Sequence, residues 1–144
     1  MSDERVVVID RSEATGAHAA ERLETELIAW MTTVKSDGTP QVSPIWFLWD
    51  GSEFLLYSRD SPRIRNIDSH QRVSVNLDGD GLGSEIVVVE GTAAVDMSMP
   101  SAAENDAYLV KYKPVMDGYG WTPEWFAENY SVPVRITPSR YRHW

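Results

Sequence analysis

Residues 28–51 read IAWMTTVKSDGTPQVSPIWFLWDG, and this stretch decides the fold. Ile28 to Val34 is a run of β-branched, aromatic and apolar residues of the kind that favours a strand. It meets Ser36-Asp37-Gly38-Thr39, where Asp and Gly tolerate the positive φ of a tight hairpin turn. A return strand is expected from Pro40 to Trp49, closed by a second such turn at Asp50-Gly51. Glu53 to Ser58 then supplies the third strand of a meander. Pro44 has no N–H to give to a ladder, so the return strand belongs at a sheet edge or carries a bulge.

Upstream, a helix is predicted to start near Ser12 or Thr15, with an apolar stripe at Ala17, Ala20, Leu23 and Leu27. Downstream, Ser61-Pro62 has the form of a helix start, with Ser as N-cap and Pro in the first turn. That helix runs through Ile64 and Ile67 and stops before Arg72. Val73, Val75 and Leu77 alternate as a strand ending in Asp78-Gly79-Asp80-Gly81, a tight turn without the closing Glu of a calcium loop. A longer strand, Glu85 to Met97, carries Gly91 at a bulge or bend. Helices are expected from Pro100, with Ala103, Ala107, Tyr108 and Val110, and from Thr122-Pro123-Glu124, with Trp125 and Phe126. Val132 to Ile136 and Tyr141 to Trp144 close the pattern as two strands.

Strands cluster without βαβ alternation, which excludes a doubly wound parallel sheet. The expected fold is mainly β, of β+α class. It is an antiparallel six- to seven-stranded barrel with short flanking helices, forming one domain over residues 1–144.

The chain has 13 Lys+Arg against 22 Asp+Glu, a formal charge of -9, so nucleic acid is not an expected partner. It has no cysteine, which removes thiolate chemistry and disulfides together. The start carries acids and a short Val6-Val7-Val8-Ile9 run, unlike a signal peptide, and no stretch is apolar enough to span a bilayer. No membrane partner is expected, and a cytoplasmic location follows. There is no GxSxG, HExxH or GxxxxGK[ST] motif. His18, His70 and His143 are dispersed, and no metal site is expected.

Chemistry concentrates in Tyr57-Ser58-Arg59-Asp60-Ser61-Pro62-Arg63-Ile64-Arg65-Asn66-Ile67, with three arginines in seven positions of an acidic chain. The run crosses from a strand end into a helix N-terminus, where free N–H groups and the helix dipole favour an anion. Arg59 and Arg63 can add bidentate hydrogen bonds to a phosphate, and Ser58 and Ser61 hydroxyl donors. The alternative is a solvated helix whose arginines pair with Asp60 and Asp68. A second constellation is Thr32-Thr33-Val34 facing Ser43-Pro44-Ile45-Trp46-Phe47 across the first hairpin. It offers the apolar wall, hydroxyls and edge amides that a planar ring needs, or else it is ordinary core. Among six tryptophans, Trp46 is the first candidate to stack on a cofactor or substrate, with Trp121 or Trp144 reaching over from a partner subunit.

These segments together resemble the pyridoxamine 5′-phosphate oxidase-like superfamily of split β-barrel, FMN-binding flavoproteins. The nearest likeness is to its actinobacterial flavin/deazaflavin oxidoreductase branch. The resemblance rests on Met31-Thr32-Thr33-Val34, Asp37-Gly38 with Pro40, Val42-Ser43-Pro44 with Trp46-Phe47, and Asp50-Gly51. It continues through Arg63, Arg65-Asn66-Ile67, Gly91-Thr92-Ala93, and Ile136-Thr137-Pro138 with Trp144. It covers Ala29 to Ala94 well and the C-terminal third more loosely. The resemblance implies a homodimer with a cofactor in each groove between subunits. Arg63, Arg65 and Asn66 would then bind the cofactor phosphate, with the Tyr57-Ser58-Arg59 strand end beside it. Ser43, Ile45 and Trp46 would flank the ring, and Thr33 lies on the facing strand. It further implies coenzyme F-420, an 8-hydroxy-5-deazaflavin, ahead of FMN. The activity implied is an oxidoreductase exchanging hydride with a small unsaturated organic substrate. The alternatives are an FMN-dependent oxidoreductase, or a carrier that binds F-420 or flavin without turnover. No catalytic acid is assigned.

Overall fold

A computed structural model of the chain describes residues 9–144, so Val6, Val7 and Val8 lie outside the described residues. The first helix, α1 (Ala14–Thr25), turns Gly16, Ala19, Ala20 and Leu23 inward. This stripe is rotated from the expected one: Ala17 is exposed, and Leu27, 44% exposed, lies beyond the helix. Gly16 accounts for the rotation. A Cβ there would fall 1.9 Å from the Asp10 carbonyl oxygen, so the bare glycine face lies directly on the preceding backbone.

Strands β1 (Ala29–Val34) and β2 (Pro40–Ile45) form the expected hairpin, in register from Ala29↔Ile45 to Val34↔Pro40. Gly38, at φ 89°, takes the left-handed turn position, and Asp37 Oδ1 accepts the Thr39 N–H at 2.9 Å. The return strand does not continue to Trp49. It breaks at Trp46-Phe47 and resumes as β3 (Leu48–Trp49), which pairs with β4 (Phe54–Ser58).

After β4 come α2 (Pro62–Ser69), β5 (Arg72–Asn76) and β6 (Val87–Val95). A 3-10 turn (Ala102–Glu104) precedes α3 (Asp106–Tyr119), so the helix expected from Pro100 begins later, capped by Asn105, which accepts the Tyr108 N–H. Thr122 caps α4 (Pro123–Asn129) in the same way, accepting the Trp125 N–H. The last element is a single strand, β7 (Val132–His143), where two were expected. Pro138 pairs with Gly91, beside the register shift between Glu90 and Gly91 that leaves Ser139 of β7 without a partner on β6. A Cβ on Gly91 would come 2.4 Å from the Thr137 carbonyl oxygen, so the bulge predicted there requires glycine.

All seven strands form one antiparallel sheet in the order β2-β1-β5-β6-β7-β4-β3. β2 and β3 therefore lie on opposite edges, although only Trp46 and Phe47 separate them. Three chain steps span at most about 11 Å. The sheet must curl until its two edges meet, giving the split barrel of the expected class. The third strand consequently pairs with β7 rather than completing a simple meander. Pro44 falls on an edge strand, as its missing N–H demands.

The barrel interior holds one core, including Met31, Phe47, Phe54, Leu56, Val75 and Ile136. A second cluster of Tyr57, Ala102, Tyr108, Tyr112, Met116 and Phe126 joins the barrel wall to α3 and α4. Among the described residues, no helix is long and apolar enough to cross a membrane.

Candidate functional site

A cleft of about 420 Å³ opens where the end of β4, the start of α2, the end of β2 and the α3–α4 segment converge. One end is cationic and hydroxyl-rich, lined by Ser58, Arg59, Ser61 and Arg63. The other is lined by Trp46, Tyr119, Trp121, Phe126 and Tyr130. No Asp or Glu is among the described residues lining it, in a chain of formal charge -9.

Arg63 occupies the first turn of α2 and reaches across to β2. Its Nη2 and Nε donate to Ser43 Oγ at 2.8 and 3.2 Å, and Nη2 also reaches the Pro44 carbonyl at 3.3 Å. Nη1 is 3.4 Å from Ser58 Oγ. Burial pulls its pKa below the ordinary guanidinium value, with a partial opposing effect from Tyr130. Arginine nevertheless keeps its charge. Among the described residues no carboxylate pairs with it, so an oriented, half-buried cation faces the cleft without a counter-ion. Ser61 is the N-cap of α2, yet its hydroxyl makes no capping bond and is free for a ligand. Arg59 is exposed, with its guanidinium carbon 4.7 Å from the Tyr130 ring centre, a cation–π contact.

Trp46 is held in an aromatic cluster. It stacks on Tyr112 at 4.8 Å, with planes 2° apart, and on Phe126 at 5.3 Å. The crossover carrying it is latched by α3. The Phe47 N–H donates to the Tyr112 hydroxyl at 2.7 Å, and Lys111 Nζ donates to the Phe47 carbonyl at 2.7 Å. Burial lowers the Lys111 pKa to about 8, against a partial opposing effect from Glu26, and burial pushes the Tyr112 phenol well up.

The profile of the pyridoxamine 5′-phosphate oxidase family matches residues 15–144. The chain belongs to that family. No curated protein matches it. Among solved structures, a conserved hypothetical protein from Mycobacterium tuberculosis is 25% identical with TM-score 0.69, covering 97% of this chain and 88% of that one. A protein named F-420 reductase is 23% identical with TM-score 0.63, covering 85% and 94%. A heme storage protein from Vibrio cholerae is 11% identical with TM-score 0.59, covering 95% of each chain.

The cleft of this pyridoxamine 5′-phosphate oxidase family member gathers Ile45, Trp46, Tyr57, Ser58, Arg59 and Arg63 from the expected set. Ser43 takes part through Arg63. Tyr57 contributes its ring, because its hydroxyl is committed to the Pro100 carbonyl at 2.7 Å and to Asn105 at 3.1 Å. Asn66 is buried and instead donates to Thr33 Oγ1 and Gln41 Oε1, each at 2.9 Å, which braces α2 on the first hairpin. Thr33, 2% exposed, is buried in that brace. Arg65 lines a different depression beside Ile67 and Asp68, exposed and 3.8 Å from Asp60.

Trp121 lines the cleft from its own chain. Trp144 lies elsewhere and donates to the Gly83 carbonyl at 3.1 Å. Sequence reasoning missed Tyr119, Phe126 and Tyr130. The available signal was aromatic density, since residues 119–130 hold Tyr119, Trp121, Trp125, Phe126 and Tyr130. Among the described residues no group of His, Cys, Asp and Glu could hold a metal ion.

Proposed function

We propose that the cleft binds the phosphate and ring of a flavin-type cofactor, F-420 in preference to FMN, and that the protein is an oxidoreductase. The observation that carries this is Arg63, an oriented guanidinium with no carboxylate partner among the described residues, in a cleft without acidic lining. The residues fit the group: Arg63 and the free Ser61 hydroxyl would hold the phosphate, with Arg59 beside them. Trp46 and Ile45 would give the ring an apolar wall and exclude water from one face. When bound, such a cofactor supplies hydride exchange with a small unsaturated substrate. Kinship with the pyridoxamine 5′-phosphate oxidase family and a fold shared with an F-420 reductase support the reading. A homodimer in the cytoplasm completes the proposal.

The test is titration of the protein with F-420 and with FMN, read by quenching of the six indoles. Binding is expected for both, tighter for F-420. In Arg63→Ala it should weaken by about ten- to a hundredfold, the scale of a lost charge-assisted bidentate contact, while circular dichroism stays unchanged. Equal affinity in Arg63→Ala overturns the assignment.

The commitment of the hydroxyl of Tyr57, one of two tyrosines at the cationic end with Tyr130, favours a carrier without turnover. Tight cofactor binding with no oxidation of the reduced cofactor by any unsaturated acceptor would select that reading.

A further inference from the structure

The aromatic end of the cleft is not built by the barrel. Tyr119, Trp121, Phe126 and Tyr130 all lie in the segment that leaves β6 and returns at β7, carrying α3 and α4. At its mouth three rings stand in a row: Trp121 lies 4.6 Å from Tyr119 and 4.8 Å from Trp125. The outer two are open to solvent, Tyr119 at 64% and Trp125 at 37% exposure. Trp121 also reaches inward, 6.1 Å from Trp46 at a 38° tilt. Large rings left in water beside a concave site mark a binding surface rather than a core. The Gly120 backbone at φ 75° ends α3 and aims Trp121 back, its N–H bonded to the Met116 carbonyl at 2.9 Å.

Charge narrows the ligand. Aromatic rings alone would also welcome a cation. Here Arg59 lies over Tyr130, Arg63 faces the same cleft, and among the described residues no acid lines it, so a cation would meet two uncompensated positive charges.

We propose that the α3–α4 segment is a ligand subsite, seating a flat conjugated ring without positive charge against Trp121 and Tyr119, beside the ring place at Trp46. This deepens the cofactor reading and rests on it for the identity of the bound molecule as substrate. The subsite itself is tested separately. Tyr119 and Trp121 are the specificity-determining residues.

The probes are naphthalene-2-carboxylate, its saturated counterpart decahydronaphthalene-2-carboxylate, and 2-naphthylmethylammonium, each measured by titration calorimetry. The flat anion is expected to bind at least about tenfold tighter than either other probe. Tyr119→Ala, at an exposed position, should weaken it by between about two- and tenfold, and Trp121→Leu by at least as much. Equal binding of the saturated probe, unchanged affinity in both variants, or displacement of the flat probe by bound cofactor would overturn the subsite. If the flat probe binds selectively while neither cofactor binds at all, the subsite stands and the cofactor reading falls.

Discussion

Arg63 and Asn66 lie three residues apart on one face of α2, yet they do opposite things. Arg63 projects from the first turn into the cleft, and Asn66 is spent on Thr33 and Gln41. Asn66→Ala leaves a buried hydroxyl and an amide oxygen without their donor. It should lower stability by about 1–3 kcal/mol in urea denaturation. A change within error would mean that the brace contributes nothing. The adjacent pair Arg65-Asn66 was expected to bind the cofactor phosphate beside Arg63, and the structure turns the two side chains to different surroundings. Neighbouring residues point about 100° apart, so Arg65 faces solvent while Asn66 faces inward. The charge cluster itself was legible, because its chemistry is carried by residue type. Which arginine faces the cleft was not, because that depends on the rotation of a helix only eight residues long.

At the scale of elements, local chemistry was readable and long-range latches were not. Both hairpin turns announced themselves, because Asp37 and Asp50 accept N–H groups from residues two or three positions on. The break at Trp46-Phe47 left no such turn signal, since Pro44 called only for an edge or a bulge. What ends the strand is the hydroxyl of Tyr112, 65 positions away, taking the Phe47 N–H.

Lys111, in the same latch, makes a pH prediction. Its folded pKa of about 8 lies below its ordinary 10.5, so between those values the unfolded chain binds the proton that the folded chain has released. Stability should therefore rise with pH across that window, and the gain should vanish in Lys111→Met. Higher still, the buried tyrosines reverse the trend. Burial raises Tyr108 and Tyr112 above 10.0, and the folded chain then holds protons that the unfolded chain loses. Denaturation midpoints on either side of pH 8 decide the point, and parallel curves for parent and variant would refute it. The bulge makes a second element-scale prediction. Gly91→Ala drives a Cβ into the β7 backbone and should cost about 1–3 kcal/mol, read as a lower unfolding midpoint.

For the whole molecule, the antiparallel barrel and its helices were legible because each strand carries its own turn signals. Of the aromatic half of the cleft only Trp46 and Trp121 were. That half is assembled only when the α3–α4 segment folds back onto β4 and the crossover at Trp46, a juxtaposition that no local pattern encodes. The proposed homodimer belongs at this scale too. Sedimentation or light scattering should return twice the 16.3 kDa chain mass, and a monomer at assay concentration would remove the shared groove from the proposal.

β7 also sets an order of events. It is translated after every partner it has, yet it sits between β6 and β4 and joins the two halves of the sheet. A ribosome that has completed β6 has therefore made a nascent chain with two unpaired inner strand edges and no means of closing them. Such edges are where chains associate wrongly. Slowed elongation through the α3–α4 codons, or a chain cut before Val132, should deliver the protein to aggregates or chaperones rather than to a partly active form.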